Sequence, residues 1–339
     1  MISDIDIRKK FDVNYFFDKI KEDLKEIEFN NFNLGVSYPY SLSEDEKQLL
    51  KKEFQYELVK KIESDLGKKK TDDLIEDIFI LIDYNYNRIE YKIVPIYIYG
   101  VYNKYKRGIS QTKDYCFKCK GRGCKFCNHK GVLKEVSVQE IIANFLKKYI
   151  YFTENKFHGA GREDIDVLML GNGREFIIEL IDPKIRTIEI EKLKNIEKEF
   201  NKLQTEVKIT SLIQTEKNKV PEIKNKINEK LYRVEIECFQ EINEKTLEKI
   251  KTNEKININQ FTPKRISKRR AQITRKRSAE ILKVEFLDCK RFIIELKAEA
   301  GLYIKEFISG DEGKTTPSIS EIIDNNCNCK QLDVVWIYR

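Results

Sequence analysis

Near the start of the chain, apolar residues recur at helical spacing. Tyr15, Phe16, Ile20, Leu24 and Ile27 fall on one face of a helix over 12–28. A loop follows through 30–40. Ser43, with Glu46 three residues on, gives the capping-box pattern of a second helix whose apolar stripe is Leu50, Phe54, Leu58 and Ile62. From Asp77 the period shortens. The run DIFILIDYNYNRIEYKIVPIYIYGVYNKY reads as two or three strands, with Pro95 on an edge strand or at a strand start. Ser137 heads another capped helix through Ile141, Ile142, Phe145, Leu146 and Tyr149. The first half therefore predicts a compact α/β module of two helices on a small sheet, with a soft domain boundary near residue 150.

In the second half, residues 157–184 (FHGAGREDIDVLMLGNGREFIIELIDPK) place apolar runs on both sides of Gly171-Asn172-Gly173, the pattern of a β-hairpin. Asp164 and Asp166 stand two apart at the start of its first strand, so the spacing puts both carboxylates on one face. Packing does not require two acids there, and a solvated strand end is the plain alternative. The pattern then gives a charged amphipathic helix over 188–204 and strands over 207–215, 232–239, 279–287, 291–297 and 333–338. A helix from Pro221 through Leu231 and a short one over 318–324 complete the reading, with Asp288-Cys289-Lys290 as a hairpin turn. Strands and helices without a regular βαβ order predict an α+β domain over 151–339, its mixed or antiparallel sheet flanked by helices.

The chain has 339 residues, 41% of them hydrophobic, enough for two real cores. Its formal net charge of +8 favours a polyanionic partner. The positive charge concentrates in TPKRISKRRAQITRKR, residues 262–277, whose plain alternative is a solvated loop. There is no apolar run of about 18 residues and no signal-peptide order at the N-terminus, so a cytoplasmic protein without a membrane partner is expected. The eight cysteines are then metal ligands or buried thiols rather than disulfides.

The most specific chemistry lies in Cys116-x-x-Cys119 and Cys124-x-x-Cys127. Each pair can form a knuckle, two thiolates on a tight turn. Four thiolates with no open position make a closed structural zinc site. Unligated thiols and a redox pair are the alternatives. The gap between the knuckles is short, so Cys327 and Cys329 are possible partners for one of them, while His129 reads as a bystander. Lys118, Lys120, Arg122, Lys125 and Lys130 make the loop basic.

Arg162-Glu163-Asp164-Ile165-Asp166-Val167 resembles the Arg-x-Asp-x-x-Val signature around the catalytic aspartate of pseudouridine synthases. The longer GREDIDV…LGNGR…E run, the basic stretch from Thr262 and the phrase AGLYIKEFISGDEGKTTPSI are similar to one family in particular. These are the archaeal and eukaryotic tRNA pseudouridine synthases that modify positions 54 and 55 of the TΨC loop. The resemblance implies an isomerase without an organic cofactor, acting on the TΨC arm of tRNA and requiring no protein partner. It makes Asp164 the catalytic aspartate, with Asp166 as runner-up. Lys305 matches the basic residue that pairs with it, and Arg162 is a second candidate. Tyr232 and Tyr303 match positions that contact the target base. The basic stretch would track RNA phosphates through Lys264, Arg265, Arg269, Arg270, Arg275 and Arg277. The N-terminal module, 1–150 with the zinc knuckle at 116–127, is similar in architecture to THUMP-type RNA-binding domains. Two other readings are a non-catalytic zinc-knuckle RNA-binding protein and a metal-dependent nuclease built on Asp166 and Glu179. Ile181 stands where the nuclease would need a lysine.

Overall fold

The computed structural model describes residues 12–71, 76–86, 88–134, 136–266 and 271–339. Its first core is small. Asp12 caps the helix Val13–Asp23 by accepting from the Asn14 and Tyr15 N–H groups, and the helix turns Phe16, Phe17 and Ile20 inward. The helix Tyr56–Leu66 adds Leu58, Val59 and Ile62. Ser43 and Glu46 close the expected capping box on the helix Glu44–Leu50, which runs into Tyr56–Leu66 through a π turn. These helices pack on β1 (Asn31–Ser37), β2 (Lys69–Lys70), β3 (Ile78–Asp83) and β4 (Arg88–Ile93), a sheet of order β2-β1-β3-β4. β1 and β3 run parallel, which is why a helical crossover separates them.

The second core begins at Ile96. β5 (Ile96–Lys104) leads to a separate hairpin of β6 (Asp114–Tyr115) and β7 (Val132–Lys134), which frames the cysteine-rich loop. Then come β8 (Glu154–Gly159), β9 (Leu168–Ile181), β10 (Val207–Thr215), β11 (Lys230–Cys238) and β12 (Lys255–Phe261). The last strands are β13 (Thr274–Asp288), β14 (Arg291–Ala298), β15 (Thr315–Thr316) and β16 (Cys327–Ile337). With β5 they form a ten-stranded sheet of order β10-β5-β9-β16-β11-β14-β13-β12-β15, with β8 paired to β9. Only β9 and β16 pair in parallel among the described strands of this sheet, so it is mixed but mostly antiparallel. The helices Val138–Leu146 and Ile190–Leu203 flank it and meet at Phe145 and Phe200, whose rings pack edge-on at 5.1 Å. No helix among the described residues is long and apolar enough to cross a membrane.

Two expectations are corrected here. The change of core falls at Val94–Pro95 and not near residue 150. β5 is buried on both faces, so it sits between β10 and β9 and cannot serve as the edge of the first sheet. The helix at Ser137 follows it into the same core. Ionic and backbone contacts join the two cores, among them Arg186 to Asp77 at 3.4 Å and the Glu28 N–H to the Lys184 carbonyl at 2.8 Å.

The second correction concerns Gly171-Asn172-Gly173, which is not a hairpin turn. β9 continues through it as a bulge, with Arg174 opposite Tyr102 and Met169 opposite Lys104 on β5, and its true hairpin partner is β8, which pairs Gly159 with Phe176. Gly171 has φ +55, and a Cβ there would lie 1.8 Å from the Val335 carbonyl oxygen of β16. Asn172 replaces the missing ladder: its amide donates to the Ile337 carbonyl at 2.7 Å and accepts from the Ile337 N–H at 2.9 Å. A left-handed glycine is needed both in a tight turn and where two backbones cross, so the residue types alone did not distinguish them.

Candidate functional site

The loop 160–167 between β8 and β9 carries Arg162, Glu163, Asp164 and Asp166. The two aspartates do not share a strand face. They lie on a turn that closes where the Val167 N–H reaches the Asp164 carbonyl at 3.1 Å.

Five donors hold the loop's carbonyls, three of them at Asp164, Ile165 and Asp166. Lys104 is fully buried, and its Nζ donates to Ile109 O at 2.8 Å and Asp164 O at 3.3 Å. The Gly108 N–H reaches Ile165 O at 2.9 Å, and Arg107 Nη1 reaches Asp166 O at 2.7 Å. Glu163 turns inward beneath the loop. Its carboxylate lies 2.9 Å from Arg174 Nε and 3.7 Å from Lys104 Nζ, and accepts from the Tyr102 hydroxyl at 2.8 Å. Gln111 Nε2 donates to that hydroxyl and to Gly161 O, both at 2.9 Å, and Arg174 Nη1 donates to Ala160 O at 2.7 Å. Burial pushes the Lys104 ammonium below its ordinary pKa, with Glu163 opposing. Each buried ion costs several kcal/mol of desolvation, so this network holds only because every member is paired.

Above the loop the carboxylates meet two cations. Arg265 Nη1 lies 3.0 Å and Lys305 Nζ 3.4 Å from Asp164 Oδ2, while Lys305 contacts both oxygens of Asp166 at 2.8 Å. Burial works against the Lys305 ammonium, but Asp166 and Asp164 outweigh it and hold its pKa above the usual lysine range. Lys305 stands in the first turn of the helix Ile304–Ser309, behind Tyr303. Buried Gln260 fixes that entry, accepting from Tyr303 N at 2.8 Å and donating to Tyr303 O at 3.1 Å. Tyr232 lies on β11, and burial pushes its phenol up to about 12 against the pull of Arg174.

Lys305 therefore meets Asp164 as expected, whereas Arg162 is exposed and has no carboxylate partner among the described residues. Arg265, expected on RNA phosphates, takes that place: its Nε also lies 2.6 Å from the buried Glu306. Lys264 pairs with Glu312 at 3.1 Å, Arg275 donates to the Thr262 hydroxyl at 2.9 Å, and Arg277 donates to the Lys276 carbonyl at 2.8 Å. Arg269 and Arg270 lie outside the described residues. Glu179 pairs with His158 at 2.9 Å and Lys156 at 3.2 Å rather than joining Asp166, which leaves the nuclease reading without its second carboxylate. Glu163 and Arg174 were missed, and Lys104, whose place among tyrosines at the end of an apolar run suits contact with RNA, is fully buried instead. Their signal was a charged residue inside or beside an apolar run, where burial without a partner is not sustainable.

The four cysteines converge. Their Sγ atoms all lie within 4.8 Å of one another, with Cys116–Cys124 at 3.9 Å and Cys119–Cys127 and Cys124–Cys127 at 3.8 Å. A tetrahedral ion with Zn–S bonds of about 2.3 Å has sulfur–sulfur edges of about 3.8 Å. N–H groups of Gly123 and Gly131 point at Cys119 and Cys127 Sγ, both at 3.2 Å, as acceptor thiolates require. The donor set fits a structural zinc and would leave it no open position. Cys327 is not part of it; it faces Cys238 across the strands at 3.2 Å. Cys119→Ser is expected to cut bound zinc from about one ion per chain to near zero, read by atomic emission, and to open residues 116–131 to trypsin.

Known proteins resemble this chain over most of its length. The family model described as Pus10, C-terminal, matches residues 97–338, starting where the second core starts. The tRNA pseudouridine synthase Pus10 of Methanocaldococcus jannaschii is 39% identical over 328 residues, covering 94% of this chain and 71% of that protein. The one from Archaeoglobus fulgidus is 37% identical over 333 residues, covering 96% of this chain and 92% of that protein. Among solved structures, a chain of a Cbf5-Nop10-Gar1 complex aligns with 70% of this chain and 57% of its own length. Its identity is 12% and its TM-score 0.33, a likeness too slight to bear on the site. With a family match over most of its length and relatives identical at more than a third of positions, the chain belongs to the Pus10 family of tRNA pseudouridine synthases, which are isomerases.

Proposed function

We propose that this chain converts uridine to pseudouridine in the TΨC loop of tRNA, at position 54, 55 or both, with Asp164 as the catalytic carboxylate and no organic cofactor. The observation that carries the reading is the placement of Asp164. It sits on a loop anchored from below by a buried ion network, and it faces Arg265 and Lys305 from above. Arg265 and Lys305 fix the orientation of the Asp164 side chain, as a group that must act at one atom of the target nucleotide requires.

The reaction is an isomerisation. The bond from ribose C1′ to N1 breaks, the uracil rotates, and a bond from C1′ to C5 forms. The C5 hydrogen leaves to solvent and N1 takes up a proton. The base must therefore leave its stack and be held while it turns, for which Tyr232 and Tyr303 supply aromatic faces. Lys264, Arg269, Arg270, Arg275 and Arg277 would track phosphates, and the first module would act as a THUMP-like RNA-binding accessory in a cytoplasmic enzyme.

Arg265 is then a positioning residue at the aspartate. Arg265→Ala is expected to lower kcat about tenfold to a hundredfold through loss of its charge-assisted contact with Asp164, and it also removes the ion pair of the buried Glu306. The slope of tRNA affinity against salt should stay near that of the parent, whereas loss of a phosphate contact would lower it by about one. To test the function, unmodified tRNA transcript is incubated with the zinc-loaded chain alone, and pseudouridine is mapped by carbodiimide-dependent primer-extension stops. A new stop in the TΨC loop is expected; stops confined to other arms would contradict the assignment.

A further inference from the structure

The zinc knuckle displays more than charge. Its core consists of the four cysteines alone, yet Tyr115, Phe117 and Phe126 are each more than half exposed, at 58%, 57% and 51%. A module this small would ordinarily fold its rings inward. Here the sulfur cluster fills the interior, and the residues between paired cysteines cannot turn toward it. Phe117 lies in the first Cys-x-x-Cys and Phe126 in the second. The two knuckles bring these rings together edge-on, with centroids 5.1 Å apart. Lys118 Nζ sits 4.2 Å from the Phe126 ring centroid. Lys120, Arg122, Lys125 and Lys130 occupy the same segment, and no acidic residue occurs from Cys116 to Gly131.

We propose that Phe117 and Phe126 form a stacking platform for unpaired bases of the RNA substrate, at a site separate from Asp164. Charge complementarity selects the occupant. A segment that carries five cations and no carboxylate repels a basic partner and attracts a polyanion, and two exposed rings add affinity only for a polyanion with flat aromatic faces to offer. Duplex RNA presents phosphates but keeps its bases stacked, so the platform takes a loop, a bulge or a single-stranded end. Zinc would fix the platform by holding both knuckles at one separation. The inference rests on the proposed action on tRNA and assigns that substrate a second point of contact.

The test uses the full zinc-loaded chain and unmodified tRNA transcript. The doubly substituted Phe117→Ala, Phe126→Ala chain is compared with the parent and with Phe117→Trp, Phe126→Trp. Zinc content is measured for each, so that a collapsed knuckle is recognised. The alanine pair is expected to raise Kd about tenfold, in line with the loss of one stacked base, with kcat at saturating tRNA and the salt slope unchanged. The tryptophan pair is expected to restore affinity. An alanine pair with full zinc and parental Kd overturns the platform and leaves the rings to a protein partner, while pseudouridine formation by the parent would still uphold the enzyme reading. A tenfold loss of affinity in a chain whose parent makes no pseudouridine upholds the platform and sinks the enzyme reading.

Discussion

Asp164→Asn is expected to lower pseudouridine formation by at least about a thousandfold while leaving tRNA affinity within a few-fold of the parent. The substitution keeps the shape of the side chain and one oxygen for Arg265 and Lys305, so the loop and its neighbours should stay in place. It removes only the negative charge and the basicity of the group. Asp166 sets a useful contrast. Both its oxygens meet Lys305 at 2.8 Å, and those contacts depress its carboxyl pKa despite partial burial. Asp166→Asn should therefore disturb Lys305 and cost about tenfold in kcat. Because the two acids share Lys305, the double variant should fall short of the product of the single effects. The measurement is single-turnover product formation at saturating tRNA. If the two phenotypes exchange, the catalytic role moves to Asp166.

Glu163→Gln is expected to destabilise the second core by about 3–5 kcal/mol. Glu163 is the shared partner of Lys104 and Arg174, both essentially inaccessible to solvent. Neutralising it leaves two buried cations facing each other across an amide. Lys104→Met should cost less, because it leaves the Glu163–Arg174 pair and the Tyr102 hydrogen bond intact, although it frees the carbonyls of Ile109 and Asp164. The predicted order of instability is thus Glu163→Gln, then Lys104→Met, then the parent. Trp336 on β16 is the only tryptophan and lies in the second core's sheet, so its fluorescence in urea reports that core without contribution from the first. Equal stability of Glu163→Gln and the parent would show that the buried network does not hold the loop.

Several parts of this arrangement were legible in the sequence because local chemistry dictates them. The Cys-x-x-Cys spacing sets sulfur separation through one turn of backbone, and the four thiols do converge. Ser43 with Glu46 forms its capping box, and Ser137 accepts from the Glu140 N–H. The turn Asp288-Cys289-Lys290 joins β13 and β14 as a hairpin. What was not legible depends on partners distant in the chain. β5 reads as an apolar strand wherever it is placed; only its pairing with β9 and β10 assigns it to the second core. Gly171 answers to Val335, and Arg265 to Asp164 and Glu306. In the Arg-Glu-Asp-Ile-Asp run, the residue read as filler, Glu163, is the one that anchors the loop from beneath.

Isomerisation of a TΨC-loop uridine through Asp164, as proposed, must release the C5 hydrogen of that uridine to solvent. tRNA transcript labelled with tritium at uridine C5 is incubated with the zinc-loaded parent chain and with Asp164→Asn, without added cofactor. Tritium release to solvent is expected from the parent, matched by carbodiimide stops in the TΨC loop, and none above background from Asp164→Asn. A parent chain that binds the transcript tightly yet releases no tritium would contradict the proposed isomerisation.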